Sequence, residues 1–98
     1  MIFNALHGKD GEDGIAQSYF EYLKIPYTHS GVISSFNSMN KIISKEIFSQ
    51  NKILTPKFFS INKESFKKSL LNLLIKKKKI PFPIVVKPVD EGSSIGVK

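Results

Sequence analysis

Five prolines cut this chain into short pieces: Pro26, Pro56, Pro81, Pro83 and Pro88. Proline removes a backbone donor and blocks helix continuation, so each one limits what its neighbours can form. Between these breaks the apolar residues switch period. "IFNAL" (Ile2 to Leu6) is a short apolar run and predicts a buried strand. Ile15, Tyr19, Tyr22 and Leu23 fall on one face of a helix that Pro26 ends. The polar stretch "YTHSG" leads to a second helical pattern, Phe36, Met39, Ile43 and Ile47, fading near Gln50 to Lys52. Lys57 to Ile61 predicts a strand, with Asn62 capping a helix whose stripe is Phe66, Leu70, Leu73 and Leu74. Ile84 to Lys87 predicts a last strand, stopped by Pro88. The order β-α-α-β-α-β indicates an α/β protein, and Thr55–Pro56 is the candidate domain boundary.

Ninety-eight residues allow one small domain or part of a larger one. The apolar fraction of 41% predicts a packed core rather than disorder. No run approaches the roughly 18 apolar residues needed to span a bilayer. The N-terminus lacks a basic n-region, so no signal peptide is expected. Cysteine is absent, which removes disulfides, a thiolate nucleophile and Cys-type zinc sites. The net charge of +7 comes entirely from lysine, without arginine, the preferred fork for phosphate and guanine edges. The densest run, Lys76 to Lys79, has no interleaved aromatic for base stacking, and its place at a helix C-terminus complements the macrodipole. A nucleic-acid-binding module is therefore disfavoured, while a phosphorylated small molecule fits the charge.

Two loops could carry chemistry. "HGKDGEDG" follows the first strand and puts His7 where open α/β sheets bind ligands. Its acids Asp10, Glu12 and Asp13 do not match an EF-hand, and fit a solvated turn that starts a helix. At the other end, "PIVVKPVDEGSSIGV" places Lys87 ahead of a turn in which Gly92 and Gly96 bracket two serines. Such a turn can present backbone N–H groups to an anion. It fits neither Walker A spacing, since the lysine comes first, nor a Rossmann fingerprint, since no helix follows. Lys41 reads locally as a surface lysine, and Asn40 as the cap of its helix.

"FNALHGKDGEDG", "IPYTHSGV", "SMNKIISKEIF" and "PIVVKPVDEGSSIGV" together resemble, in this order and spacing, the D-alanine–D-alanine ligases of the ATP-grasp superfamily. The resemblance runs from Ile2 to Lys98. It implies an α/β chain holding the end of the N-terminal (pre-ATP-grasp) domain, residues 1–54, and the first part of the ATP-grasp central domain, residues 55–98. It implies ATP-dependent joining of two D-alanines through an acyl phosphate, for peptidoglycan synthesis. Lys41 and Lys87 take roles on the ATP phosphates, and the loop Glu91 to Gly96 lies over them. Gly92, Ser93, Ser94 and Gly96 belong to that loop. Ser93 also joins the catalytic network around the first D-alanine, and His7 lies near the D-alanine site. The resemblance further implies two Mg²⁺ with ligands outside these residues, a cytoplasmic homodimer, and no nucleic-acid or membrane partner.

The chain departs from the family pattern at Asn40, where Asp is usual, and at His29, where Gly is common. The Glu91-Gly92-Ser93-Ser94 form favours the D-alanyl-D-alanine branch over depsipeptide-forming ligases; another ATP-grasp carboxylate–amine ligase is the alternative. The family's first glycine-rich loop, adenine pocket, oxyanion arginine and Mg²⁺ carboxylates are not among these residues. The 98 residues alone are therefore expected to be an inactive, marginally stable portion of a ligase, with exposed strand edges.

Overall fold

A computed structural model describes residues 1–92 and 96–98. The elements are β1 (Ile2–Phe3), α1 (Ile15–Tyr22), β2 (Tyr27–Thr28), α2 (Val32–Met39), α3 (Lys41–Gln50), a 3₁₀ turn (Lys63–Ser65) and α4 (Lys68–Lys78). β1 and β2 pair in parallel, Ile2 opposite Tyr27 and Phe3 opposite Thr28, with α1 as the crossover. This α/β unit sets a loop, residues 7–14, at the C-terminal end of β1.

Local chemistry explains the helix ends. Asp13, not the formal cap Gly14, starts α1: its Oδ1 accepts from Ile15 N at 3.2 Å and its Oδ2 from Asp10 N at 3.0 Å. α1 stops at Tyr22, ahead of Pro26, because Lys24 turns left-handed (φ 56°) and Ile25 N returns to Phe20 O at 2.9 Å. Phe36, Met39, Ile43 and Ile47 lie on two helices rather than one. Asn40 is extended (ψ 109°) and caps α3, its side chain accepting from Ile42 N and Ile43 N. α3 ends at Gln50, as its pattern predicts. Asn62 precedes only the 3₁₀ turn and makes no side-chain cap bond, so α4 begins later, after Lys67. Phe66 therefore lies outside α4, and Leu73 is exposed. Lys76, Lys77 and Lys78 do fill the last turn of α4, with Lys79 left-handed beyond it.

Three predicted strands shrink or vanish for one reason: a strand needs a neighbour. Ile2–Phe3 is all of the first, and Phe3 is exposed rather than buried, because only Tyr27–Thr28 lies beside it. Lys57 to Ile61 forms no ladder. Ile84 to Lys87 keeps one reciprocal pair, Val86 N to Lys98 O at 2.6 Å and Lys98 N to Val86 O at 2.8 Å.

The predicted apolar core is also not found among the described residues. Among the described residues no apolar side chain is fully buried. The accessible surface is 8064 Å², against about 5,700 Å² for a compact monomer of this mass. The radius of gyration is 16.6 Å, against about 12.6 Å for a compact domain of this length. α1 is inverted relative to its pattern. Ile15, Tyr19, Tyr22 and Leu23 are all exposed, while Gln17, on the opposite face, is wholly buried. The stripe marks a face suited to apolar contact, and the described residues leave most of it open, with Ile15 lining a hollow beside Val32, Ile33 and Phe36 of α2. No helix of the described residues is long and apolar enough to cross a membrane.

Candidate functional site

The loop after β1 is built by its own acids. Glu12 N bonds to Gly8 O at 2.9 Å, and the Glu12 carboxylate accepts in return from Gly8 N. The other Glu12 oxygen lies 4.0 Å from His7 Nδ1. His7 is therefore held at its root while its side chain stays 81% exposed. Gly8, Asp10 and Gly14 have φ of 75°, 67° and 97°, the left-handed turns that reverse the chain in so few residues. The Glu12 and Asp13 carboxylates thus serve the turn and the helix start, and Asp10 takes part through its backbone N and O. Among the described residues no group of three or more His, Asp or Glu is placed to hold a metal ion.

The closing segment meets both this loop and the start of α3. Lys41, the first residue of α3, donates from Nζ to Glu91 O at 2.6 Å and from its backbone N to Val89 O at 2.9 Å. A β-carbon on Gly92 would lie 3.3 Å from Gly8 Cα, 3.6 Å from Met39 Cε and 3.7 Å from Glu12 Oε2. Glycine is what lets the closing segment approach the His7 loop so closely. Gly96 has φ 69°, and a β-carbon there would lie 2.8 Å from Pro88 Cγ, which makes it a tight left-handed corner. The Val86–Lys98 pair closes this arm.

His7, Lys41, Glu91 and Gly92 of the sequence-predicted site therefore belong to one neighbourhood. Lys87 is exposed on the arm next to Val86, and the described residues give it no hydrogen-bond partner. Ser93 and Ser94 lie outside the described residues. His29 has φ 159°, near extended backbone, so its place does not demand glycine. Nearby, Tyr27 donates to Glu21 Oε1 at 2.8 Å; this bond, with some desolvation and the carboxylate charge, pushes the phenol's pKa up.

Sequence reasoning missed two contributors. Lys45 donates to Thr55 Oγ1 at 3.0 Å and Pro56 O at 3.1 Å, with its ammonium 5.1 Å from the Phe58 ring centre, and so ties the Thr55–Pro56 break to α3. Gln17 escaped notice because helical periodicity assigned its face to solvent.

The fold of this chain has counterparts among solved ligases. A ligase from Bacillus anthracis matches 98% of this chain and 30% of its own at 44% identity, with a TM-score of 0.81. The Bacillus anthracis ligase solved with ATP matches 92% of this chain and 29% of its own at 42% identity, TM-score 0.75. These likenesses put the chain among the ligases. The family described as D-ala D-ala ligase C-terminus matches residues 47–98. The D-alanine–D-alanine ligase of Pelagibacter ubique is 55% identical over 98 residues, 99% of this chain and 31% of that protein. The chain belongs to the D-alanine–D-alanine ligase family. It spans under a third of the length of these relatives.

Proposed function

We propose that these residues serve an ATP-dependent ligase that joins two D-alanines for peptidoglycan synthesis. The observation that carries the reading is that the closing arm meets both the start of α3 and the His7 loop: Lys41 Nζ donates to Glu91 O, fifty residues on, and Gly92 closes on Gly8 and Glu12. The donor set suits a triphosphate: two lysines, an N–H-bearing glycine arm and two serines. Bound ATP would supply the phosphoryl group that activates the first D-alanine carboxylate as an acyl phosphate. The second amine forms the C–N bond and loses a proton, the C–O bond to phosphate breaks, and the oxyanion between needs fixed donors.

In this reading Lys41 and Lys87 bring positive charge to the phosphates. One ammonium at about 4 Å contributes roughly 4 kcal/mol at an effective dielectric near 20, before desolvation. The Glu91–Gly96 arm covers the phosphates, with Ser93 and Ser94 as hydroxyl donors, and Ser93 also steadies the first D-alanine. His7 faces the D-alanine site. The described residues offer no set of ligands for Mg²⁺, so no step is assigned to it. We further propose a domain junction between Leu54 and Thr55, and a cytoplasmic, homodimeric enzyme. The Lys45 grip on Thr55 and Pro56 supports a junction held against α3.

The test is a chimaera in which these 98 residues replace the matching residues of the Pelagibacter ubique ligase. D-alanine-dependent phosphate release, with D-alanyl-D-alanine as product, is expected. A folded chimaera that releases no phosphate would refute the proposal.

A further inference from the structure

Gln17 is the largest fully buried side chain described, at 0% exposure. Its Nε2 donates to Gly11 O at 2.9 Å and lies 3.3 Å from His29 Nδ1. The amide orientation follows from chemistry: Gly11 O only accepts, so the NH₂ group must face it. The second Nε2 hydrogen then points to His29 Nδ1, which accepts and carries its own proton on Nε2. Gln17 Oε1 is left buried without a donor among the described residues. A buried unpaired acceptor is costly, and methionine would fill the same space without that cost. Packing does not explain a glutamine here; its two donors do.

Those donors act on the loop that carries His7. Gly11 O also accepts from Asn4 Nδ2 at 3.1 Å, while Asn4 Oδ1 accepts from Leu6 N at 3.0 Å and Thr28 Oγ1 accepts from Asn4 N at 3.0 Å. The stem before His7 is thus held by Asn4, and the turn after it by Gln17. We propose that Gln17 is a positioning residue: its buried carboxamide fixes the residue 7–12 loop through the Gly11 carbonyl and ties that loop to His29, setting where His7 stands. The consequence for substrate rests on the reading of His7 as a D-alanine-site residue.

The experiment uses Gln17→Met in the chimaera. Loss of one positioning hydrogen bond should raise the D-alanine KM about tenfold while kcat stays within about threefold. The Tm should move by less than about 3 °C, because the lost bonds and the lost orphan acceptor oppose each other. Gln17→Leu likewise has no donor and should raise KM at least as much; it decides the matter if the methionine variant does not fold. An unchanged KM, or a fall in Tm with KM unchanged, overturns the proposal. A third readout does not need turnover. The His29 ring, followed by ¹H–¹⁵N correlation, should lose its fixed Nε2–H tautomer in Gln17→Met, and amides 8–12 should exchange faster. If the chimaera is inactive, the ligase reading falls; unchanged His29 and loop signals would then separately overturn the role of Gln17.

Discussion

Asn40 satisfies two of the donors that open α3, and removing its side chain should be felt in both stability and ATP binding. A helix leaves four N–H groups without intrahelical partners. Here all four are met. Asn40 N reaches Phe36 O at 3.3 Å, Lys41 N reaches Val89 O at 2.9 Å, and Ile42 N and Ile43 N share Asn40 Oδ1 at 3.0 and 3.1 Å. Asn40→Ala strands the last two at half-buried residues, for a loss of about 1 kcal/mol and up to about 2. In a ligase-sized chimaera that is about 2 °C in Tm. Asn40→Asp keeps the oxygen and adds charge at the helix N-terminus, a gain of about 0.3–1 kcal/mol. Lys41 is the next residue, so a frayed α3 also frees its ammonium from Glu91 O. The ATP KM should rise about threefold in Asn40→Ala and stay level in Asn40→Asp, as expected when about 0.7 kcal/mol of binding is lost. The assays are thermal melting and steady-state kinetics with varied ATP. Equal melting of Asn40→Ala and its parent, or an Asp variant that melts lower than Asn40, would refute the capping argument.

Gly14→Ala must hold φ 97° with a β-carbon 2.7 Å from Val32 O; urea titration should show a loss of about 2 kcal/mol. Lys41→Met removes the Glu91 contact and should raise the ATP KM about tenfold or more, as expected for a lost charge-assisted bond; isothermal titration with a non-hydrolysable ATP analogue checks it. Tyr27 should ionise above the ordinary tyrosine pKa when absorbance is followed through alkaline pH, because its hydrogen bond to Glu21 raises its pKa. The sign follows: its contribution to stability is present below the ordinary tyrosine pKa and is lost as pH rises through the raised one, so Tyr27→Phe should flatten the alkaline limb. The isolated 98 residues should melt broadly, given that no apolar side chain is fully buried among the described residues; a sharp cooperative transition would refute this.

What could be read in advance was local. Asn40 as a cap, the acid-built loop, the end of α3 and the lysine-rich end of α4 all depend on residues within a few positions of one another. What could not be read depended on partners. Tyr27–Thr28 becomes a strand only because Ile2–Phe3 lies beside it, and its own residues read as a polar connector. Lys57 to Ile61 has strand composition but no neighbour. The α1 stripe reported where greasy residues lie, not which face the fold covers, and so hid Gln17. At the site, His7 and the glycine arm were legible as loops. Lys41 was legible only through the family resemblance, because its partner is fifty residues away and its own surroundings are ordinary.

That separation also sets a timetable. Synthesis proceeds from the N-terminus at about 5–20 residues per second, so residue 91 follows residue 41 by roughly 3–10 s. During that interval the α3 start has its Asn40 cap but no carbonyl from Val89 or Glu91. In a nascent chain paused before residue 89 neither carbonyl yet exists, and Lys41 is still unclaimed. The order of events at this site is written into the distance along the message between a lysine and the carbonyls that receive it.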